Sequence, residues 1–254
     1  LPAAGLSPHD PRLAGATSLL VSGGCDPQGQ VPVTAHLDLL RALRPGRRLN
    51  WHTGLIGEQN LAAIAALADV VSFDLVGDDE TIAEVYGLQA TVEDYRAVYR
   101  RLRKVVSVIP HITIGLRGGR ICGERRALEI LREEGAAAIV FLVLIPTPGT
   151  RYADCAPPPV EEVARFLAET RMVFPQTPLL LGCMRPGGRY RRTLDALAVR
   201  AGINRIVKPQ KATLDLAASL GLQLERGEEC CALALTPSPC LLYTSDAADD
   251  LLCV

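Results

Sequence analysis

Short apolar runs that stop at glycine or proline recur along this chain, and each is followed by a stretch with helical spacing. One run reads Leu19-Leu-Val-Ser-Gly-Gly24; another reads Phe141-Leu-Val-Leu-Ile-Pro-Thr-Pro-Gly-Thr150. Strands are expected at 19–22, 49–52, 70–75, 105–114, 138–145, 179–183 and 205–207. Helices are expected at 32–44, 58–68, 80–86, 91–104, 125–134, 160–174, 191–201 and 212–220, with Thr91-Val-Glu-Asp94 read as a capping-box start. Apolar strands alternating with longer amphipathic helices argue for right-handed βαβ units and a parallel sheet. The regular spacing favours an α/β barrel over an open sheet. Ligand chemistry is then expected at the C-terminal strand ends.

The 254 residues, 48% of them hydrophobic, are enough for one sizeable core. No apolar run approaches the roughly 20 residues that cross a bilayer, and the start carries no signal segment, so a cytoplasmic location is expected. A net charge of -1 with scattered arginines offers no broad basic face, which argues against nucleic acid as a partner. Eight cysteines are many for such a chain, but their spacing is irregular, so metal or redox chemistry is the first expectation. Cys122 and Cys155 read equally well as small buried hydrophobes. Residues 1–235 are read as one domain. Residues 236–254, with Leu-Leu-Tyr-Thr-Ser-Asp-Ala-Ala-Asp-Asp at 241–250, read as a non-native tail resembling sequencing-adapter read-through.

The strand ends gather the candidates. Ser22, Gly23 and Gly24 follow the first strand; glycines let backbone approach a ligand, although the same triplet also suits an ordinary turn. Ser72 and Asp74 end the third, where a carboxylate suits a ligand better than a core. His52 and His111, without a third ligand in sequence, read as satisfied histidines rather than metal ligands.

Three segments carry a resemblance: Ser22-Gly-Gly24, Gly118-Gly-Arg-Ile-Cys-Gly-Glu124 and Ile145-Pro-Thr-Pro-Gly-Thr150. In order and separation they are similar to the S-adenosylmethionine-contacting segments of radical SAM enzymes, closest to the biotin and lipoyl synthase branch and to one subunit of the two-subunit lipoyl synthases. The resemblance covers residues 15–233 and implies a partial (β/α) barrel of parallel strands. It implies that Gly23 and Gly24 meet the methionyl amino group, that Ser72 or Asp74 faces the ribose or methionyl part, and that Gly119, Ile121, Gly123, Glu124, Ile145 and Pro146 hold the adenosine. Two departures stand out. Cys25 occupies the place where an acidic residue often follows the glycine pair, and no Cys-x-x-x-Cys-x-x-Cys loop for the radical [4Fe-4S] cluster exists in the chain. An N-terminal truncation is the expected reason, and the fragment is expected to be inactive alone.

The resemblance implies S-adenosylmethionine and a [4Fe-4S] cluster as cofactors, with sulfur insertion at an unactivated carbon as the activity. Cys183, Cys230 and Cys231 are then expected to ligate an auxiliary iron-sulfur cluster, with buried or incidental thiols as the plain alternative. Arg185 and Arg189 are expected to bind a carboxylate of cofactor or substrate, whereas Arg191 and Arg192 read as a solvated helix start. Expected partners are a small-molecule or carrier-bound acyl substrate, a second radical SAM subunit and an electron donor protein. Two other readings remain open: an aldolase-like lyase using Lys208 as a Schiff-base amine, and a non-catalytic iron-sulfur subunit that pairs with a complete radical enzyme.

Overall fold

The computed structural model describes residues 6–227 and 229–233, and the backbone of 241–244. Seven strands run in chain order across one sheet: β1 (Ser18–Val21), β2 (Arg48–His52), β3 (Val70–Asp74), β4 (Val108–Ile114), β5 (Ile139–Val143), β6 (Leu179–Leu181) and β7 (Arg205–Val207). Two more follow beyond β7, with β9 (Leu241–Thr244) lying between it and β8 (Leu224–Gly227). Every registered pair is parallel. The tail read as non-native lies outside the described residues except for β9, which covers the edge of β7.

The helices between strands are α1 (Leu37–Leu43), α2 (Leu61–Leu67), α3 (Asp79–Thr81), α4 (Val92–Leu102), α5 (Glu124–Glu134), α6 (Val160–Val173), α7 (Gly188–Arg200) and α8 (Lys211–Ser219). The expected capping box closes α4: Thr91 N–H donates to Asp94 Oδ2 at 2.8 Å while Asp94 N–H returns to Thr91 Oγ1 at 3.3 Å. After α3 the chain makes a single π turn, Ile82–Tyr86, ended by Gly87 at φ 66°. The expected strand at 105–114 begins three residues late because the Val105 and Val106 amides still bond Leu102 O and finish α4.

Strand parity sorts the side chains. Leu49, Trp51, Val71, Phe73, Ile112, Phe141, Leu181 and Ile206 face the helices in the larger core. Their alternates, Val70, Ile109, Val140, Leu180 and Val207, share a second cluster with Cys231, Ala232 and Leu233. One short segment, 230–233, thus reaches the inner face of β3 to β7. Asn50 and Arg48 extend the contact to β2, since Arg48 donates to Leu233 O at 2.8 Å and pairs with Glu229 at 3.0 Å. Only a curled sheet lets so short a segment touch so many strands. The result is a half-barrel wrapped around its own C-terminal segment.

Ala232 is 2% exposed at the centre of this filling. Ala232→Asp is expected to destabilise the chain by at least about 2 kcal/mol, read as a lower urea midpoint. Leu222→Asp at the surface should stay within about 0.5 kcal/mol.

Candidate functional site

The candidate site lies at the C-terminal ends of β3 and β4. Alternation turns Ser72 and Asp74 of β3, and His111 and Thr113 of β4, to the inner face, and register sets Asp74 beside His111. Asp74, His111 and Thr113, together with Tyr86, Arg117, Arg120, Cys122 and Glu124, line a pocket of about 380 Å³ including its open mouth. Asp74 is half-buried, and Cys25, from the loop after β1, is near enough that its charge and that of Asp74 help raise the Tyr86 pKa, although burial is the larger cause.

The glycine-rich loop after β4 is held by its own glutamate. Glu124 Oε1 accepts the Gly115 N–H and Oε2 accepts the Cys122 N–H, both at 2.7 Å. Burial raises its pKa, opposed by these backbone bonds. Glu124 therefore closes a loop, although its residue also lines the pocket. The neighbouring glycines allow backbone contact. A Cβ on Gly77 would sit 2.3 Å from Gly123 O, and one on Gly119, at φ 82°, would sit 2.2 Å from Ala156 O. Gly119 and Gly123 thus fit one βα loop against the next, and Gly123 also borders the pocket.

Arg117 continues this joining of loops. It pairs with Asp78, Glu80 and Glu84, while Tyr152, from the loop after β5, donates to Glu84 at 2.6 Å and Arg151 stands 3.3 Å from the same carboxylate. The Tyr152 hydrogen bond is the main cause that lowers the Glu84 pKa. The loops after β3, β4 and β5 are therefore one connected rim.

Other expected residues fall differently. Ser22, Gly23 and Gly24 are exposed, and a Cβ on Gly24 would meet nothing within 4 Å, so that stretch stays open to a ligand. Ser72 is corrected: it is 2% exposed and donates to Asn50 Oδ1 at 2.9 Å, so its hydroxyl is engaged inside the barrel instead of facing a ribose. Ile121 packs against the larger core, and Ile145 and Pro146 are half-buried outside the Asp74 pocket. Arg185 is also corrected. It is 1% exposed and binds the Asp195 carboxylate from Nε at 2.8 Å and Nη2 at 3.0 Å, with further bonds to Gly182 O and Val207 O. The carboxylate it binds comes from α7 of its own chain. Arg189 is exposed at the start of that helix. Lys208 has φ 47°, a left-handed conformation that among the described residues only glycines otherwise adopt.

The cysteines meet in the barrel interior. Cys230 Sγ accepts from Asn50 Nδ2 at 3.3 Å, lies 3.9 Å from Cys231 Sγ, and Cys231 Sγ lies 3.9 Å from His111 Nε2. Cys183 packs against the same cluster. Among the described residues, no group of three or more His, Cys, Asp or Glu side chains is arranged to hold a metal ion. Arg205, at the inner start of β7, is 2% exposed with Nε and Nη1 buried and unbonded. Asn50 and Arg205 were missed from sequence. The only signal for them is a polar residue at an inward position of an otherwise apolar strand.

No family model matches the chain, and no curated protein does. Among solved structures it is similar to methylornithine synthase, with a TM-score of 0.58 and 15% identity over 76% of this chain and 57% of that one. The shared element is a partial (β/α) barrel. The chain spans little more than half the length of that protein. It is also similar to the HMG-CoA lyase from Brucella melitensis, with a TM-score of 0.56 and 13% identity over 82% of this chain and 79% of that one. At these identities the likeness is one of fold.

His111 titrates abnormally. Burial pushes its pKa down to about 4, against the opposing charge of Asp74 and together with His52, whose ring centroid is 5.8 Å away. In the unfolded chain the value is about 6.5, so between the two the folded chain binds fewer protons. Stability is therefore expected to fall as pH drops from about 6.5 to about 4, by up to about 3 kcal/mol. Urea unfolding across this window checks it, and His111→Gln should flatten the dependence. In a second test, Asp195→Ala leaves the Arg185 charge buried and alone, and should cost about 3–5 kcal/mol in the same assay.

Proposed function

We propose that this chain is the barrel of a radical S-adenosylmethionine enzyme and that its activity is lipoyl synthase-like sulfur insertion. The observation that supports it most is the open Gly23-Gly24 turn together with the Asp74 pocket at one end of a half-barrel whose fold is shared with methylornithine synthase. The residues present fit the organic cofactor. Exposed glycine backbone after β1 offers acceptors to an amino group, Asp74 offers a carboxylate to a hydroxyl, and the pocket walls mix apolar and polar groups as a nucleoside requires. When bound, such a cofactor supplies a carbon radical able to take hydrogen from an unactivated carbon. The chain's own part is to hold the cofactor, keep the rim loops closed on one another and shield the reacting carbon from water.

The radical cluster is a different matter. The chain holds no Cys-x-x-x-Cys-x-x-Cys spacing and the described residues hold no metal-binding group, so these residues do not fit it and no step is derived through it. Sulfur insertion is favoured within the class by the thiols of Cys183, Cys230 and Cys231 in and beside the barrel interior.

Titration calorimetry with S-adenosylmethionine tests the reading. Binding to the full chain is expected, weakened roughly ten- to a hundredfold by Asp74→Asn, which removes a charged hydrogen bond worth about 1.5–3 kcal/mol. Absence of binding overturns it. A second reading, the aldolase-like lyase, has one observation behind it, the left-handed Lys208 at the end of β7. Failure of borohydride to trap any carbonyl substrate on Lys208 eliminates that reading.

A further inference from the structure

The vicinal thiols in the barrel interior are not equivalent. Cys230 is half-buried and accepts a hydrogen bond from Asn50, which is itself fixed by Ser72. Cys231 is 5% exposed and faces His111 Nε2. The His111 Nδ1 lies 3.0 Å from Ile109 O, an atom that only accepts, so Nδ1 carries the proton of the neutral ring and Nε2 presents its lone pair to Cys231. One thiol thus has a donor that favours negative charge on sulfur, and the other has a base.

Arg205 adds a separate observation. Its guanidinium is buried in the same interior with two nitrogens, Nε and Nη1, that lack a partner, and negative charge on Cys230 or Cys231 acts on it directly. A buried cation calls for an anion beside it, and besides the two thiols the Glu225 carboxylate also acts on it. On the other side, Leu20 stands in register with Asn50 on β1 and is 43% exposed, so solvent reaches the inner face within one strand of Cys230.

We infer that Cys230 and Cys231 form a dithiol site that takes the outer sulfur of a small persulfide and releases it as sulfide. For its use in the cell this rests on the sulfur-insertion reading, to which it supplies the class of sulfur donor. The Cys230 thiolate attacks the outer sulfur of R-S-SH; the donor S–S bond breaks and RSH leaves with the proton. Cys231 attacks Cys230 Sγ, 3.9 Å away, as its proton is relayed through His111 Nε2 toward the departing sulfur. The bond from Cys230 to the transferred sulfur breaks, and that sulfur leaves as hydrosulfide, taking the proton from His111. Two thiols are oxidised to one disulfide while one sulfane sulfur is reduced to sulfide. A thiol reductant resets the pair. Arg205 and Asn50 hold the negative charge that sulfur carries in between.

The test treats the full chain, reduced and free of S-adenosylmethionine, with glutathione persulfide, and follows released sulfide and peptide masses. Wild type should release one sulfide per chain and carry a Cys230–Cys231 disulfide. Cys231→Ser should keep the extra sulfur on Cys230 without releasing it, and Cys230→Ser should do neither. His111→Gln should slow release on the order of a hundredfold, as loss of a general base does, and let the Cys230 persulfide accumulate. Circular dichroism confirms folding of each variant, and Cys231→Ala serves if the serine variant unfolds. Release that survives Cys230→Ser, sulfur mapping to the exposed Cys25 or Cys122, or iron retained by the wild type and lost in both cysteine variants would overturn the inference. Because the assay contains no S-adenosylmethionine, sulfide release by a chain that fails to bind that cofactor leaves the inference standing and removes only the radical reading.

Discussion

The half-barrel depends on having its inner face filled. Strands buried on both faces need apolar cover on both, and the helices supply it on only one. Val70, Ile109, Val140, Leu180 and Val207 obtain the other cover from Cys231, Ala232 and Leu233. Arg48 fixes that segment by its bond to Leu233 O and its pair with Glu229. The same segment brings the two thiols to Asn50 and His111, so the packing that stabilises the sheet also assembles the most reactive groups in the interior.

At the other end of the strands the loops are held by backbone fit and by charge. Gly77 against Gly123 and Gly119 against Ala156 leave no room for side chains. Glu124 ties the turn to itself, and Arg117 with Tyr152 carries the connection to the neighbouring loops. A pocket bordered by such a rim is largely formed before any ligand arrives, which lowers the ordering cost of binding.

Much of the fold was legible. Apolar runs ended by Gly or Pro located β1 to β7, and the Thr91 to Asp94 spacing located the start of α4, because these signals are local. β8, read Leu-Glu-Arg-Gly, has no apolar alternation and could not be seen. The site was legible only in part. Asp74 drew attention because a carboxylate at a strand end is conspicuous, and it lines the pocket. Arg185 was misread because its partner Asp195 lies a loop and two helical turns further on, and only tertiary structure turns it back. Ser72 was misread since sequence shows which face of a strand a residue takes but not how deep it sits. Asn50 and Arg205 gained their meaning from a segment that follows Arg205 by some two dozen residues and Asn50 by 180.

That last separation bears on how the chain acquires its structure. Among themselves, β1 to β7 pair only with neighbours in sequence, so each βα unit can dock as soon as it is made, and such local pairing is fast. The bond between Arg48 and Leu233 joins residues 185 apart. Until the ribosome has released that segment, the inner apolar face stands open to water and to other nascent chains. The interval between completing β7 and seating residues 230–233 is therefore the period of greatest exposure to aggregation and of greatest dependence on chaperones.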